Sequence, residues 1–187
     1  PGIDGEDIYN LWTVEDARQV VARAAQGKRV TFIGGGFIGF IVLNALHKVG
    51  CNLTVIEVEN QVLPRMLDAE SAQLVAGVLA RKGVRVVTGR RVTEIEPNGG
   101  AKMLRLERGG AGVADLVISA AGGRPNVAFL AGSGGSVDHG VLVDEHLRTN
   151  YPWIYAAGDC AQGPDFSTGE RTVHAIQPTA VDHGRVA

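Results

Sequence analysis

Short and long apolar segments alternate along the first two thirds of the chain. Apolar runs of strand length occur at 29–33, 53–57, 84–88 and 116–120. Two segments of helical length, 37–49 and 68–82, lie between them, and each is followed by a glycine that can end a helix. Strands that alternate with helices are typical of parallel βαβ units. The pattern therefore predicts an α/β fold built on a parallel sheet.

A further helix is expected near the N-terminus. Thr13 can act as its N-cap, and Asp16 stands three positions later, where the acid of a capping box belongs. This helix is expected to run to about Gln26 and to end at Gly27. Residues 1–12 before it are expected to be extended.

The pattern changes in the second half of the chain. Two strand-like runs, 92–96 and 103–107, flank the turn sequence Pro97-Asn98-Gly99-Gly100, which predicts a β-hairpin. Residues 122–126 (Gly-Gly-Arg-Pro-Asn) predict an irregular loop. The tail from about Thr172 predicts the start of a helix.

Composition and charge narrow the possible functions. The chain has 187 residues, of which 45% are apolar and 20% charged, an ordinary globular balance. A net charge of −2 provides no attraction for nucleic acid or an anionic membrane, and neither is expected as a partner. The two cysteines, Cys51 and Cys160, make neither a disulfide framework nor a zinc motif, so a cytoplasmic setting is the simplest. Because the chain starts at Pro1 rather than Met, we expect a fragment of a longer protein.

The segment Gly34-Gly35-Gly36-Phe37-Ile38-Gly39 carries the main candidate chemistry, since it is a GxGxxG motif between a predicted strand and helix. Gly34 permits a sharp turn out of the strand, and Gly36 lets a pyrophosphate approach bare backbone. Gly39 lets the helix pack closely. The helix N-terminus then offers unpaired N–H groups to phosphate oxygens.

Glu57 completes a dinucleotide motif. It ends the next predicted strand, close to the roughly 20-residue spacing of a ribose-binding acid. A carboxylate there accepts hydrogen bonds from ribose hydroxyls and repels a 2′-phosphate, and no arginine follows until Arg65. This favours NAD(H) over NADP(H). The alternative is a glycine turn that binds nothing, with Glu57 as a solvated strand end.

With these motifs, the chain resembles the pyridine nucleotide–disulfide oxidoreductases, which are flavoproteins that use FAD and NAD(P). Three motifs carry the resemblance in order, and they are Gly34 to Gly39, Gly122-Gly123-Arg124-Pro125-Asn126, and Leu147-Arg148-Thr149 leading to Tyr155-Ala156-Ala157-Gly158-Asp159. The resemblance implies a Rossmann-like NAD-binding domain, with parallel sheet and β-hairpin or meander, plus part of an FAD-binding domain. Its implied boundaries are a lead-in segment at 1–13, an NAD(H)-binding domain at 14–121 and an incomplete FAD-binding portion at 122–187.

The resemblance also implies roles for single residues. Asp159 would hydrogen-bond the ribityl–phosphate part of FAD, and residues 177–180 would lie near the flavin ring. Phe37 matches an aromatic residue that guards the nicotinamide pocket, although packing on the sheet is an equal alternative. The expected cofactor-binding residues are Gly34, Gly35, Gly36, Phe37, Ile38, Gly39, Glu57, Gly122, Gly123 and Asp159. No catalytic residue and no metal ligand is expected, and His174 and His183 are interpreted as surface or interdomain residues.

Two departures from the family stand out. Many relatives have a glutamate two residues after the third motif glycine, where this chain has Ile41. The first FAD glycine motif is also missing, so the fragment is not expected to retain FAD, and neither cysteine can be assigned a redox role.

These features predict the NAD(H)-binding portion of an FAD-dependent oxidoreductase. NADH would pass hydride to the flavin and on to an unidentified acceptor, and the full-length protein is expected to be a homodimer. One alternative is a stand-alone NAD(H)-binding sensor or regulatory module without catalysis. A weaker alternative is an α/β interaction domain that binds no nucleotide.

Overall fold

The computed structural model describes residues 1–187 and divides them into two units, Pro1–Gly122 and Gly123–Ala187. In neither unit does a helix combine the length and the apolar character needed to cross a bilayer. The boundaries 1–13, 14–121 and 122–187, with their cofactor assignments, stay predictions.

The first unit contains three helices and eight strands. The helices are α1 (Val14–Arg23), α2 (Phe37–Val49) and α3 (Ala69–Arg81). The strands are β1 (Ile8–Tyr9), β2 (Arg29–Ile33), β3 (Asn52–Ile56), β4 (Arg85–Val87), β5 (Val92–Asn98), β6 (Ala101–Leu106), β7 (Ala111–Ala114) and β8 (Leu116–Ser119).

Five of these strands form one parallel sheet in the order β1-β8-β2-β3-β4. This confirms the predicted α/β fold with a parallel sheet. Strand β1 is an addition, because residues 1–12 were expected only to be extended. Ile8 and Tyr9 pair with Val117 and Ile118, so the lead-in segment supplies an edge strand of this sheet.

Both faces of the sheet are covered. Val30 and Phe32 of β2 lie in one core with Leu43 of α2 and Leu79 of α3. Successive side chains of a strand point to opposite faces, so Val117 of β8 lies in a second core with residues of β5 and β6. Burial on both faces explains why these strands are continuous apolar runs rather than alternating ones.

The antiparallel meander β5-β6-β7 provides the second covering layer. The predicted hairpin is present, but its loop is only Gly99-Gly100, with φ of +56° and +85°. Pro97 is therefore a residue of β5 rather than of the turn. Positive φ at both loop residues is typical of a two-residue hairpin loop. Strand β7 was not predicted, because it is a short run of small residues with one glycine.

The boundaries of the three helices in the first unit agree with the sequence to within one residue, except at the end of α1. Thr13 Oγ1 accepts the Asp16 N–H, and the Asp16 carboxylate accepts the Thr13 N–H, which confirms the capping box. Helix α1 ends at Arg23 rather than near Gln26, because Ala24 has extended backbone. Gly27, with φ of +80°, instead forms part of the turn that leads into β2.

The second unit has less regular structure. It contains β9 (Val141–Leu142), β10 (Ala161–Pro164), β11 (Arg171–Thr172) and α4 (Gln177–Val186). The strands form a sheet in the order β11-β10-β9 above a small core around Val143 and Leu147. Residues 122–126, at the junction of the units, are irregular as predicted. The tail helix begins at Gln177 rather than near Thr172, because Thr172 is a residue of β11 and pairs with β10.

Candidate functional site

The turn from β2 into α2 depends on Gly34. Its N–H donates to the Ile56 carbonyl oxygen at 2.8 Å, and its φ is +101°, a value that L side chains rarely adopt. A Cβ here would lie 2.5 Å from the carbonyl oxygen of Ala120. Glycine at this position is therefore required by the fold itself.

Gly36 differs from Gly34 in this respect. It is the N-cap of α2, with φ of −85°, which any residue can adopt. A Cβ added to Gly36 would meet no atom closer than the Ala120 carbonyl oxygen at 3.8 Å. Nothing within the chain requires glycine at this position, so the space in front of it is open to a ligand.

The N-terminus of α2 faces this open space. No side chain caps it, and its first turn contains no acidic residue. The first intrahelical bond runs from Phe40 N–H to the Gly36 carbonyl oxygen at 3.2 Å, which leaves the preceding amides without a helical partner. Gly39 lets the helix approach the end of β8, since its Cβ would lie 3.1 Å from Ala120 Cβ. Unpaired amides at a helix N-terminus are suited to bind an anion such as a pyrophosphate.

Glu57 follows β3 directly, and its side chain lies against the glycine loop. The residue is buried, with 6% of its surface exposed. Its Oε2 accepts the Gly35 N–H at 2.6 Å, and its Oε1 accepts the Glu59 N–H at 2.9 Å. Each carboxylate oxygen has a further lone pair, so these bonds orient the group and leave it able to accept from hydroxyls.

Leu63 also contacts the glycine loop, although nothing in the sequence pointed to it. Its backbone N–H donates to the Gly35 carbonyl oxygen at 2.9 Å. Because this contact is made by main-chain atoms, residue identity gives no signal for it. Both backbone polar groups of Gly35 are thus held by the chain that follows β3.

The apolar side chains at the start of α2 are exposed. Phe37 and Ile38 are 50% and 51% exposed, which weighs against the alternative that Phe37 packs on the sheet. Ile41 is 57% exposed at the position where many relatives have glutamate. This end of the site therefore presents apolar surface and no carboxylate.

Asp159 lies in the second unit, in the short turn Gly158–Cys160, and its side chain is exposed. This turn packs on α4. The Gly158 N–H donates to His183 Nδ1 at 3.2 Å, and a Cβ on Gly158 would lie 3.4 Å from Ala180 Cβ. The structure therefore brings Asp159 near the 177–180 segment. His183, interpreted above as a surface or interdomain residue, helps to fix the turn.

The remaining candidate residues form no hydrogen bond with the glycine loop. Gly122 and Gly123 are exposed residues of the irregular junction. Both cysteines are free, and burial raises the pKa of the Cys51 thiol, which keeps it protonated. His174 pairs with the carboxylate of Asp165 at 2.8 Å.

Strand β2, the glycine turn, helix α2 and a buried acid after β3 together define a Rossmann-like dinucleotide-binding fold. The chain belongs to the family described as pyridine nucleotide-disulphide oxidoreductase, which matches residues 1–184.

Similar proteins agree with this assignment. The chain is 33% identical over its whole length to the epsilon subunit of NADH-dependent phenylglyoxylate dehydrogenase from Aromatoleum evansii, and covers 44% of that protein. A solved NAD-dependent persulfide reductase from A. fulgidus is 34% identical, with a TM-score of 0.92 over 99% of this chain and 35% of its own. The water-forming NADH oxidase from Lactobacillus brevis, solved with NADH, is 26% identical, with a TM-score of 0.92 over 100% of this chain and 41% of its own. The chain thus spans less than half the length of these relatives.

Proposed function

We propose that this chain is the NAD(H)-binding portion of an FAD-dependent oxidoreductase. In the proposed reaction, hydride passes from NADH to the flavin, and electrons pass on to an acceptor that is not identified. The observation that carries the proposal is the open backbone at Gly36, next to an uncapped helix N-terminus and the buried Glu57 carboxylate. Two of the similar proteins use NADH according to their names, which supports the choice of nucleotide.

Glu57 supports NADH rather than NADPH. Its carboxylate is fixed by two backbone N–H groups and has no cationic partner. A 2′-phosphate on the adenosine ribose would bring a second negative charge to this buried acid, and a buried like-charge pair is strongly unfavourable. The ribose hydroxyls of NADH would instead donate to the same oxygens.

The two cofactors supply the redox chemistry when bound, and the chain binds and orients them. In this proposal the amides of the α2 N-terminus hold the pyrophosphate, and Glu57 holds the adenosine ribose. The exposed Phe37 and Ile41 give the nicotinamide end an apolar surface on which the ring could pack. No side chain of this chain has to act as an acid or base.

The FAD-binding part of the proposal rests on the second unit. Asp159 is exposed, next to the first turn of α4, where a ribityl or phosphate group could reach both. The assignment of residues 14–121 to NAD(H) and 122–187 to an incomplete FAD site is part of the proposal, as are the cytoplasmic location and a homodimer of the full-length protein. The similar proteins are a dehydrogenase subunit, a reductase and an oxidase by name, which favours the enzyme over the stand-alone sensor.

Calorimetric titration of the purified chain with NADH and NADPH tests the nucleotide assignment. We expect NADH to bind with at least tenfold higher affinity than NADPH, and Glu57→Ala to reduce that ratio. Equal affinity of the wild-type chain for the two nucleotides would contradict the role of Glu57. An absorption spectrum of the same sample tests the fragment hypothesis, since stoichiometric flavin in the purified chain would refute it.

A further inference from the structure

The segment Gln61–Leu67 lies between β3 and α3 and folds back onto the glycine loop. Its single direct bond to that loop is the one from Leu63 N–H to the Gly35 carbonyl oxygen, at 2.9 Å. The N–H of Gly35 in turn donates to the Glu57 carboxylate. Gly35 is therefore fixed at both of its backbone polar groups.

Leu63 is itself held tightly in a turn. Its carbonyl oxygen accepts the N–H groups of Met66 at 2.9 Å and Leu67 at 3.0 Å. The Gln61 side-chain amide closes the turn by donating to the Leu67 carbonyl oxygen at 2.7 Å. Val62, which is 1% exposed, anchors the segment in the core. These contacts hold Leu63 at a φ of +50°, a value unusual for a residue other than glycine.

Gly36, the next residue of the glycine loop, has few contacts with the rest of the chain. The space around Gly36 is open, so its position depends on its covalent neighbours and on the helix it begins. The orientation of the amides at the α2 N-terminus is thus set on one side by Gly35. Loss of either bond to Gly35 would let these amides move.

We propose that Leu63 is a positioning residue for the dinucleotide. It does not touch the nucleotide. Its positive-φ backbone aims an N–H at Gly35, and this fixes Gly36 and the amides that receive the pyrophosphate. The inference rests on the proposed function, because it needs a nucleotide at the N-terminus of α2.

Two substitutions at Leu63 separate backbone conformation from side-chain loss. Leu63→Ile keeps the apolar volume, but a β-branched residue strongly disfavours positive φ. Leu63→Asn loses the apolar side chain, but asparagine adopts positive φ more readily than most residues. We expect Leu63→Ile to raise the Kd for NADH about fivefold, the typical effect of one hydrogen bond. Leu63→Asn should remain within about twofold of wild type.

Three readouts distinguish positioning from a general loss of structure. Leu63→Ile should weaken NADH and ADP-ribose by the same factor, because both contain the pyrophosphate. Its preference for NADH over NADPH should persist, since Glu57 is unchanged. Amide exchange should show loss of protection at Leu63 in Leu63→Ile, with protection retained in the strands of the sheet.

The outcomes keep this inference separate from the proposed function. Failure of the wild-type chain to bind NADH would refute the proposed function before Leu63 is considered. If the wild-type chain binds and Leu63→Ile binds equally well, the positioning role is overturned. If Leu63→Ile does not fold, Gln61→Met decides, because it weakens the turn by removing the side-chain bond to the Leu67 carbonyl oxygen without changing Leu63. Weaker NADH binding by Gln61→Met supports the role, and unchanged binding overturns it.

Discussion

Replacing Gly36 with alanine should separate stability from nucleotide binding. The backbone at Gly36 has φ of −85° and ψ of 177°, which alanine adopts without strain. Loss of glycine freedom in the unfolded chain stabilises by roughly 0.4–1 kcal/mol. Alanine is a poorer N-cap than glycine by up to about 1 kcal/mol. These effects offset one another, so the free energy of unfolding should change by less than about 1 kcal/mol.

The effect on binding should be much larger. If a pyrophosphate lies against the Gly36 backbone, the new methyl group occupies space that a phosphate oxygen needs. Forcing a methyl group into a filled space costs roughly 1–3 kcal/mol, which corresponds to an increase of about 5- to 150-fold in Kd. The matched control is Gly34→Ala, where φ is +101° and the Cβ would lie 2.5 Å from the Ala120 carbonyl oxygen. Gly34→Ala should lose at least about 2 kcal/mol of stability.

Urea unfolding and calorimetric titration with NADH, carried out on both variants, measure the two effects. A Gly36→Ala variant that is as stable as wild type and binds NADH weakly supports the site. If Gly36→Ala binds NADH with wild-type affinity, no phosphate lies against Gly36, and the proposed pyrophosphate site is wrong.

Two further predictions concern stability. The Arg29 guanidinium bonded to Asp115 holds the pKa of that carboxyl at about 2, below its ordinary 3.8. This pair therefore stabilises the fold above about pH 4 and loses its effect as the pH falls toward 2. Asp115→Asn should cost about 1–2 kcal/mol at pH 7 and flatten the pH dependence in urea unfolding across that interval. Thr13→Ala should cost about 1 kcal/mol by removing the N-cap of α1, and Thr13→Ser should restore most of it in the same assay. A Thr13→Ala variant as stable as wild type would show that the cap contributes nothing.

Much of the first unit could be predicted because local signals there agree with the tertiary structure. The apolar run at 29–33 is buried from both faces, and its glycine turn can be read from residue identity alone. Glu57 was recognised by its spacing from Gly34. The capping box at Thr13 is likewise a local pattern, which requires no knowledge of the tertiary fold.

The features that were not predicted either depend on contacts that are distant in sequence or are too short to show a pattern. Strand β1 has two residues and exists because β8 provides an edge for it to pair with. Strand β7 is too short and too glycine-rich to show a period. Leu63 acts through its main chain, and His183 acts by accepting the N–H of a residue 25 positions away. Side-chain type reveals none of these contacts before the fold is known.

The most direct test of the proposed binding mode is a map of the backbone amides that respond to NADH. A titration of the ¹⁵N-labelled chain, followed by NMR, should shift the amide signals of Gly36, Ile38 and Gly39 as the nucleotide binds. ADP-ribose, which contains the same pyrophosphate, should shift the same three signals. If NADH binds while these amide signals do not shift and signals elsewhere in the chain do, the pyrophosphate does not lie at the N-terminus of α2, and the proposed binding mode is wrong.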